Sequence, residues 1–143
     1  MTKEEIDWLT PLLEEHRSIT QDLELIRKEI TMSRLKSSER LPKLIDGLGL
    51  RIAKHFMHEE QTLYRQLKAR LKEDSPTEEM IMDHESMRVE FEVLRHSCVV
   101  YESGHGSIVA LRRSIDSLQG KLSEHMKKEE RVLFWLADVK LNQ

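Results

Sequence analysis

The stretches "HFMHEEQTLYRQL" at 55–67 and "HMKKEERVLFWLA" at 125–137 are two copies of one pattern. Each reads His, then Glu-Glu at the fourth and fifth positions after it, then Leu at the eighth and an aromatic at the ninth. The offset of 70 residues is about half of a 143-residue chain. In a helix, residues four apart share a face. His55 therefore projects with Glu59, and His125 with Glu129. Both pairs sit in apolar stripes of helical period, Leu41, Leu44, Leu48, Ile52, Leu63 and Leu67 in one copy, Ile108, Leu111, Ile115, Leu118, Leu122, Val132, Leu136 and Val139 in the other. A histidine and a carboxylate on the apolar side of a helix need a chemical reason.

Two more helices precede these. One carries Leu12, His16, Ile19, Leu23, Ile26 and Ile30, and the other His84, Met87, Phe91, Leu94, Cys98 and Tyr101. "HRSITQDLELIR" at 16–27 aligns over "HESMRVEFEVLR" at 84–95, so the repeat extends to both halves. Helices are predicted over roughly 11–35, 39–72, 76–101 and 107–140. Thr10-Pro11, or the earlier Thr2, caps the first, and Ser37 or Ser38 the second. "SPTEE" starts the third, with Ser75 as cap, Pro76 at the first helical position and Glu78 completing a capping box. Gly47 and Gly49 inside the second helix allow either close packing or a bend.

Short connections make this an all-α, antiparallel up-down-up-down four-helix bundle. The four histidines fall at one height. About eighteen residues, roughly 27 Å, separate His16 from the end of its helix, and the second helix climbs roughly 24 Å back to His55. His84 and His125 repeat this. The second helix overshoots the start of the third, so that corner is expected to be irregular.

Composition agrees. Charged residues are 34%, aromatics 5%, with 5 Gly and 3 Pro. These are the proportions of long amphipathic helices. The length fits one domain, 1–143. A net charge of −3 with both signs interspersed offers no stripe for nucleic acid and no basic face for a membrane. No apolar run has spanning length and no leader pattern opens the chain, so a cytoplasmic location is expected. Cys98, the single cysteine, excludes an internal disulfide.

The bundle centre thus gathers four imidazoles and two carboxylates. Two buried unpaired carboxylates are very costly, and cations remove the cost. Each of two ions would take two His nitrogens, with both Glu able to bridge. Imidazole with carboxylate suits iron, and also zinc or manganese. Glu is common in this chain, so one His-x-x-x-Glu carries little. The weight rests on four histidines at matching heights in a duplicated arrangement.

This four-part motif, His16, His55-x-x-x-Glu59, His84 and His125-x-x-x-Glu129, resembles the hemerythrin-like, or HHE cation-binding, family over roughly residues 10–137. The resemblance implies a four-helix bundle around a non-heme di-iron centre with an oxo or hydroxo bridge. It implies His16, His55, Glu59, His84, His125 and Glu129 as the metal ligands. An oxygen-carrying hemerythrin is expected to have a His-x-x-x-His pair on the third helix, whereas Met80 and Arg88 stand four positions either side of His84 here. The chain is nearer the four-His, two-Glu members, with two His per metal and open positions on both. The expected partners are a diatomic gas or peroxide, in a monomer or weak homodimer.

The function expected is a di-iron protein that binds and reduces or decomposes nitric oxide, peroxide or dioxygen, as an oxidoreductase. The alternatives are an oxygen or iron sensing or storage module without turnover, or repair of iron-sulfur clusters under nitrosative stress. Some relatives recruit a tyrosine ligand, but Tyr64 lies about half a helical turn off the face of His55. Tyr101 lies about 25 Å from His84. Neither is assigned to the site. His58 and His96 are read as exposed, and His105 lies between two glycines in the last connection. Cys98 and the methionines, including Met57, Met80, Met82, Met87 and Met126, are read as core filler, with lining of a small-molecule pocket as the alternative for the methionines near the histidines. Glu60 and Glu130 either hydrogen-bond to the ligands or face solvent. Trp8 and Trp135 are read as anchors of the chain ends.

Overall fold

The computed structural model describes residues 9–32 and 39–135. Among them lie four long helical rods and no strand. The first is α1 (Leu9–Met32). The second is α2 (Arg40–Glu59), a π-helical turn (Glu60–Tyr64) and α3 (Arg65–Leu71) in unbroken succession. The third is α4 (Thr77–Glu102). The fourth is α5 (Ile108–Lys128), followed by a second π-helical turn (Glu129–Leu133). No helix among the described residues is long and apolar enough to cross a membrane.

Helical period explains the burial. Leu12, His16, Ile19, Leu23, Ile26 and Ile30 are the inward line of α1, and Leu111, Ile115, Leu118, Leu122 and His125 that of α5. The helices meet in pairs, α1 with α2, α4 with α5, α1 with α5 and α2 with α4. Contacts fix the register of each pair. Glu15 meets His55 at 2.7 Å and Asp22 meets Arg51 at 2.8 Å. Asp83 meets His125 at 3.1 Å and Ser97 meets Ser114 at 2.9 Å. His16 meets Glu129 at 3.3 Å and Arg27 meets Asp116 at 2.7 Å.

The interior has two apolar parts with a polar layer between them. The larger runs from Ile30 and Leu41 to Phe56, Met87, Leu122 and Met126, and includes Cys98. The smaller is Leu9, Leu12, Leu63, Tyr64, Leu67, Met80 and Phe134. His16, His55, Glu59, His84, His125 and Glu129 are all buried and sit where each stripe passes from one cluster to the other. The smaller cluster closes that end of the bundle over the polar layer. Truncating one of its fully buried leucines to Ala would cost about 2–5 kcal/mol.

Glycine decides two local features. A Cβ on Gly49 would lie 2.6 Å from the Phe91 ring, so the glycine lets α2 and α4 close on that ring. Gly104 takes φ +83°, the left-handed conformation that ends α4. Ser107 then caps α5, its hydroxyl accepting from the Ala110 N–H at 3.1 Å. The corner between α3 and α4 is irregular, with Lys72 at φ 53° leading a 3₁₀ turn, Lys72–Asp74.

Several expectations are corrected. Thr10 and Pro11 are already helical, so Thr10 does not cap α1. Thr2, Ser37, Ser38, Trp8 and the expected helix ends 33–35 and 136–140 lie outside the described residues. α4 begins at Thr77, not Pro76, and the capping box does not form. The Ser75 hydroxyl does accept from the Thr77 N–H at 3.3 Å, but the Ser75 N–H is taken by the Lys72 carbonyl at 3.2 Å, leaving nothing for Glu78. Met57, Met82 and Trp135 are exposed rather than buried. They fall on the outer faces of their helices, and apolar type alone does not bury a residue.

Candidate metal centre

Each ligand candidate is delivered by its stripe. His16 comes from α1, His55 and Glu59 from α2, His84 from α4, His125 from α5, and Glu129 from the turn after α5. The structure brings all six together in two groups that share both carboxylates: His16, His55, Glu59 and Glu129, and Glu59, His84, His125 and Glu129. Within each group one donor atom per residue lies within 4.8 Å of all the others. Glu59 turns one oxygen to His16 and His55, at 3.2 Å from each Nε2, and the other to His84 Nε2 at 3.1 Å. Glu129 Oε1 lies 3.3 Å from His16 Nε2 and 3.1 Å from His125 Nε2.

Three carboxylates stand behind the imidazoles. Glu15 accepts from His55 Nδ1 at 2.7 Å, Glu60 from His84 Nδ1 at 2.6 Å, and Asp83 from His125 Nδ1 at 3.1 Å. A carboxylate accepts only, so these Nδ1 atoms carry the proton and each Nε2 turns a lone pair to the centre. The arrangement follows the repeat. Glu15 precedes His16 as Asp83 precedes His84, and Glu60 follows Glu59 as Glu130 follows Glu129. Only the fourth contact is incomplete, with Glu130 at 3.8 Å from His16 Nδ1.

The π turn adds a residue that a regular helix would turn away. Five residues of α-helix advance about 500°, which leaves Tyr64 about 140° off the face of Glu59. The wider π turn closes on the fifth residue and brings Tyr64 back inward. This corrects its exclusion from the site. Its hydroxyl donates to Glu129 Oε2 and lies 3.1 Å from His84 Nε2 and 3.4 Å from His125 Nε2. Its ring stacks beside His84, with centroids 5.3 Å apart. In the other half, Phe134 takes the equivalent place beside His16, at 5.8 Å. Phe56 stacks face to face on His84 at 3.8 Å.

The remaining histidines divide as their exposure dictates. His58 is one-third exposed and shares the Glu15 carboxylate with His55, at 2.9 Å. His96 and His105 are exposed and away from the centre. Glu15 and Asp83 were not foreseen as site residues, though an acid directly before each lone His is a repeat feature visible in the chain. Tyr101 is half-buried against the larger apolar cluster.

The electrostatics follow from burial. Burial lowers the His84 pKa to about 4, against the opposing hydrogen bond to Glu60, so its imidazole is neutral at pH 7. Burial also disfavours charge on His16, but its bonds to Glu129 and Glu59 outweigh this and raise its pKa. Burial and the neighbouring Glu129 charge hold the Glu59 carboxyl well above the usual range, in spite of His16. Burial would raise Glu129, but the His125 and His16 imidazoles beside it hold it well below that range. Burial, then the charges of Glu59 and Glu129, push the Tyr64 phenol up.

The donor set fits a pair of metal ions. His55 Nε2 and Glu129 Oε1 are buried without a hydrogen-bond partner among the described residues. The Nε2 atoms of all four imidazoles face carboxylate oxygens at 3.1–3.3 Å, so a cation between nitrogen and oxygen would be ligated by both. Donors about 2.1 Å from a common ion and at right angles lie about 3.0 Å apart, close to the spacing found. Nitrogen and carboxylate donors suit iron, zinc and manganese.

No curated protein and no solved structure matches the chain. The family model of the hemerythrin HHE cation binding domain matches residues 9–137. That span holds all six donors, and the chain belongs to the hemerythrin HHE cation-binding family.

Proposed function

We propose that this chain holds two iron ions, liganded by His16, His55, Glu59, His84, His125 and Glu129, and binds and reduces or decomposes a small oxidant there: nitric oxide, peroxide or dioxygen. The observation that carries the reading is the sharing of Glu59 and Glu129 between two donor groups in one buried layer. Shared carboxylates favour paired ions over two separate sites. The contacts also support an antiparallel up-down-up-down course, since numbers rise on one helix as they fall on its neighbour.

Bound iron supplies one-electron steps between ferrous and ferric and open positions for a small ligand. The chain's own residues do the rest. Glu15, Glu60 and Asp83 hold three imidazoles in the tautomer that turns Nε2 inward. The smaller apolar cluster keeps water from the end of the bundle. Before metal binds, Tyr64 holds a proton on its oxygen beside Glu129.

The test is metal content and absorption of aerobically purified protein, then of the reduced protein exposed to nitric oxide. About two irons per chain with near-ultraviolet bands and a nitrosyl spectrum is the expected result. Zinc, or no metal, would overturn the redox reading. Iron that binds the gas without turning it over would make the chain a sensing or storage module.

A further inference from the structure

We infer that small ligands enter the centre along the seam between α1 and α5, past Met126 and Glu130, to the His16 side. The inference rests on the di-iron reading above for the identity of the ligand, but on the protein alone for the route.

Cavities open on all four seams between neighbouring helices, and three stop short of an open imidazole edge. On the α1–α2 seam the cavity reaches His55, but Glu15 closes its Nδ1 and also binds His58. On the α4–α5 seam it reaches His125, but Asp83 closes that Nδ1 and is itself held by Lys128 at 3.0 Å. The α2–α4 cavity, about 660 Å³, is the largest of the four, and His84 does not line it. Phe56 lies flat on His84, Arg88 sits over the Phe56 ring at 5.4 Å, and Arg88 also holds Glu60 at 3.3 Å.

The fourth seam lacks each of these closures. Its cavity of about 450 Å³ is lined by His16 itself, with Thr20, Ser123, Met126 and Glu130. His16 Nδ1 is buried and has no hydrogen-bond partner among the described residues, and Glu130 stands 3.8 Å away with its side chain 43% exposed. The repeat explains the difference. Met126 occupies the place of Phe56, and Thr20 the place of Arg88. Thr20 spends its hydroxyl on the His16 carbonyl of its own helix, at 2.9 Å, so it does not span the seam. An unbranched methionine moves more readily than a ring stacked on both faces. His16 is only 4% exposed, so Met126 and Glu130 form a wall that must shift for entry rather than an open hole. At the inner end the ring beside His16 is Phe134, which brings no hydroxyl, whereas the His84 side is occupied by the Tyr64 oxygen.

Ser123 and Ala53 are equivalent positions of the repeat, one lining the α1–α5 cavity and the other the α2–α4 cavity. Ser123→Trp should block the route and Ala53→Trp should not. With iron-loaded, reduced protein, stopped-flow absorption should give nitric oxide association slowed about tenfold or more by Ser123→Trp, with iron content and Ala53→Trp unchanged. An unchanged rate in Ser123→Trp, or equal slowing by Ala53→Trp, would overturn the route. Metal-free protein gives an independent reading. Diethyl pyrocarbonate, applied at a pH high enough to leave His16 unprotonated and followed by peptide mass mapping, should acylate His16 before His55, His84 and His125, and Ser123→Trp should delay it. Equal rates at the four histidines would overturn the route even if iron binds. Failure to take up iron would overturn the di-iron reading while the acylation order still decides the route.

Discussion

The Tyr64 hydroxyl donates to the Glu129 carboxylate across the two halves of the repeat. Both groups are buried, so the bond has no competing water. Tyr64→Phe should leave Glu129 Oε2 without this donor and destabilise the metal-free protein by about 1–3 kcal/mol, read from urea unfolding. The fold should persist, because Phe134 fills the equivalent place without a hydroxyl. Metal uptake should also change. A cation beside the phenol offsets the burial that holds its proton, so the wild type should release more protons on loading than Tyr64→Phe, counted by pH-stat. Equal release would show that Tyr64 keeps its proton beside the metal.

The three carboxylates behind the imidazoles should matter unequally with the fourth. Removing a partner that orients a ligand histidine typically costs about 10–100-fold in metal affinity. Glu15→Ala, Glu60→Ala and Asp83→Ala should each fall in that range, measured by competition with a chelator. Glu130→Ala should change affinity far less, because Glu130 lies 3.8 Å from His16 Nδ1 and makes no hydrogen bond to it. A loss for Glu130→Ala as large as for Glu60→Ala would mean that the contact closes when metal binds.

The six donors were legible because each rides an apolar stripe. Helical period alone places His16 above Ile19 and Glu59 above Leu63, and the repeat supplies the second half. Tyr64 was not legible for the same reason. A wheel of fixed angle per residue is correct up to Glu59 and fails in the π turn that follows, and no residue in "EQTLY" announces that turn. Glu15 and Asp83 could be seen as acids beside histidines, but their targets, His55 and His125, are on neighbouring helices and depend on register. The capping box at Ser75 failed on a bond no motif encodes, the Ser75 N–H given to Lys72. Met57 and Met82 show the limit of residue type, since their neighbours Phe56 and Ile81 take the inward or boundary positions instead.

The metal-free protein should lose stability toward acid through His84. Burial lowers its folded pKa to about 4 from an ordinary value of 6.5. The folded state therefore binds fewer protons than the unfolded one between these values. Its contribution is present above pH 6.5 and is lost as pH falls from 6.5 to 4, by about 3 kcal/mol in all. His16 acts in the opposite sense, because its folded pKa is raised. Its contribution is present below 6.5 and is lost as pH rises through the folded value. Imidazole proton resonances of the metal-free protein should show His84 titrating near pH 4 and His16 above 6.5. A His84 midpoint near 6.5 would remove this source of acid sensitivity.

The last expectation is a reversal of sign at Glu59. The residue is fully buried, and burial together with Glu129 holds its carboxyl well above the usual range. Without metal it is a polar group in an apolar core, stabilised by histidines whose own burial is costly and by Glu129. Glu59→Leu removes that cost and extends the leucine stripe from Ile52 to Leu63, so the metal-free variant should melt higher than the metal-free wild type. With metal the order should invert. Glu59 belongs to both donor groups, so Glu59→Leu weakens both, and the binding free energy that adds to folding in the wild type is lost. The measurement is melting of both proteins with and without a chelator. A wild type indifferent to chelator and less stable than Glu59→Leu under both conditions would describe a bundle that folds without using its central layer. The expected crossing would mean that the cost of burying Glu59 is offset only when a cation is bound.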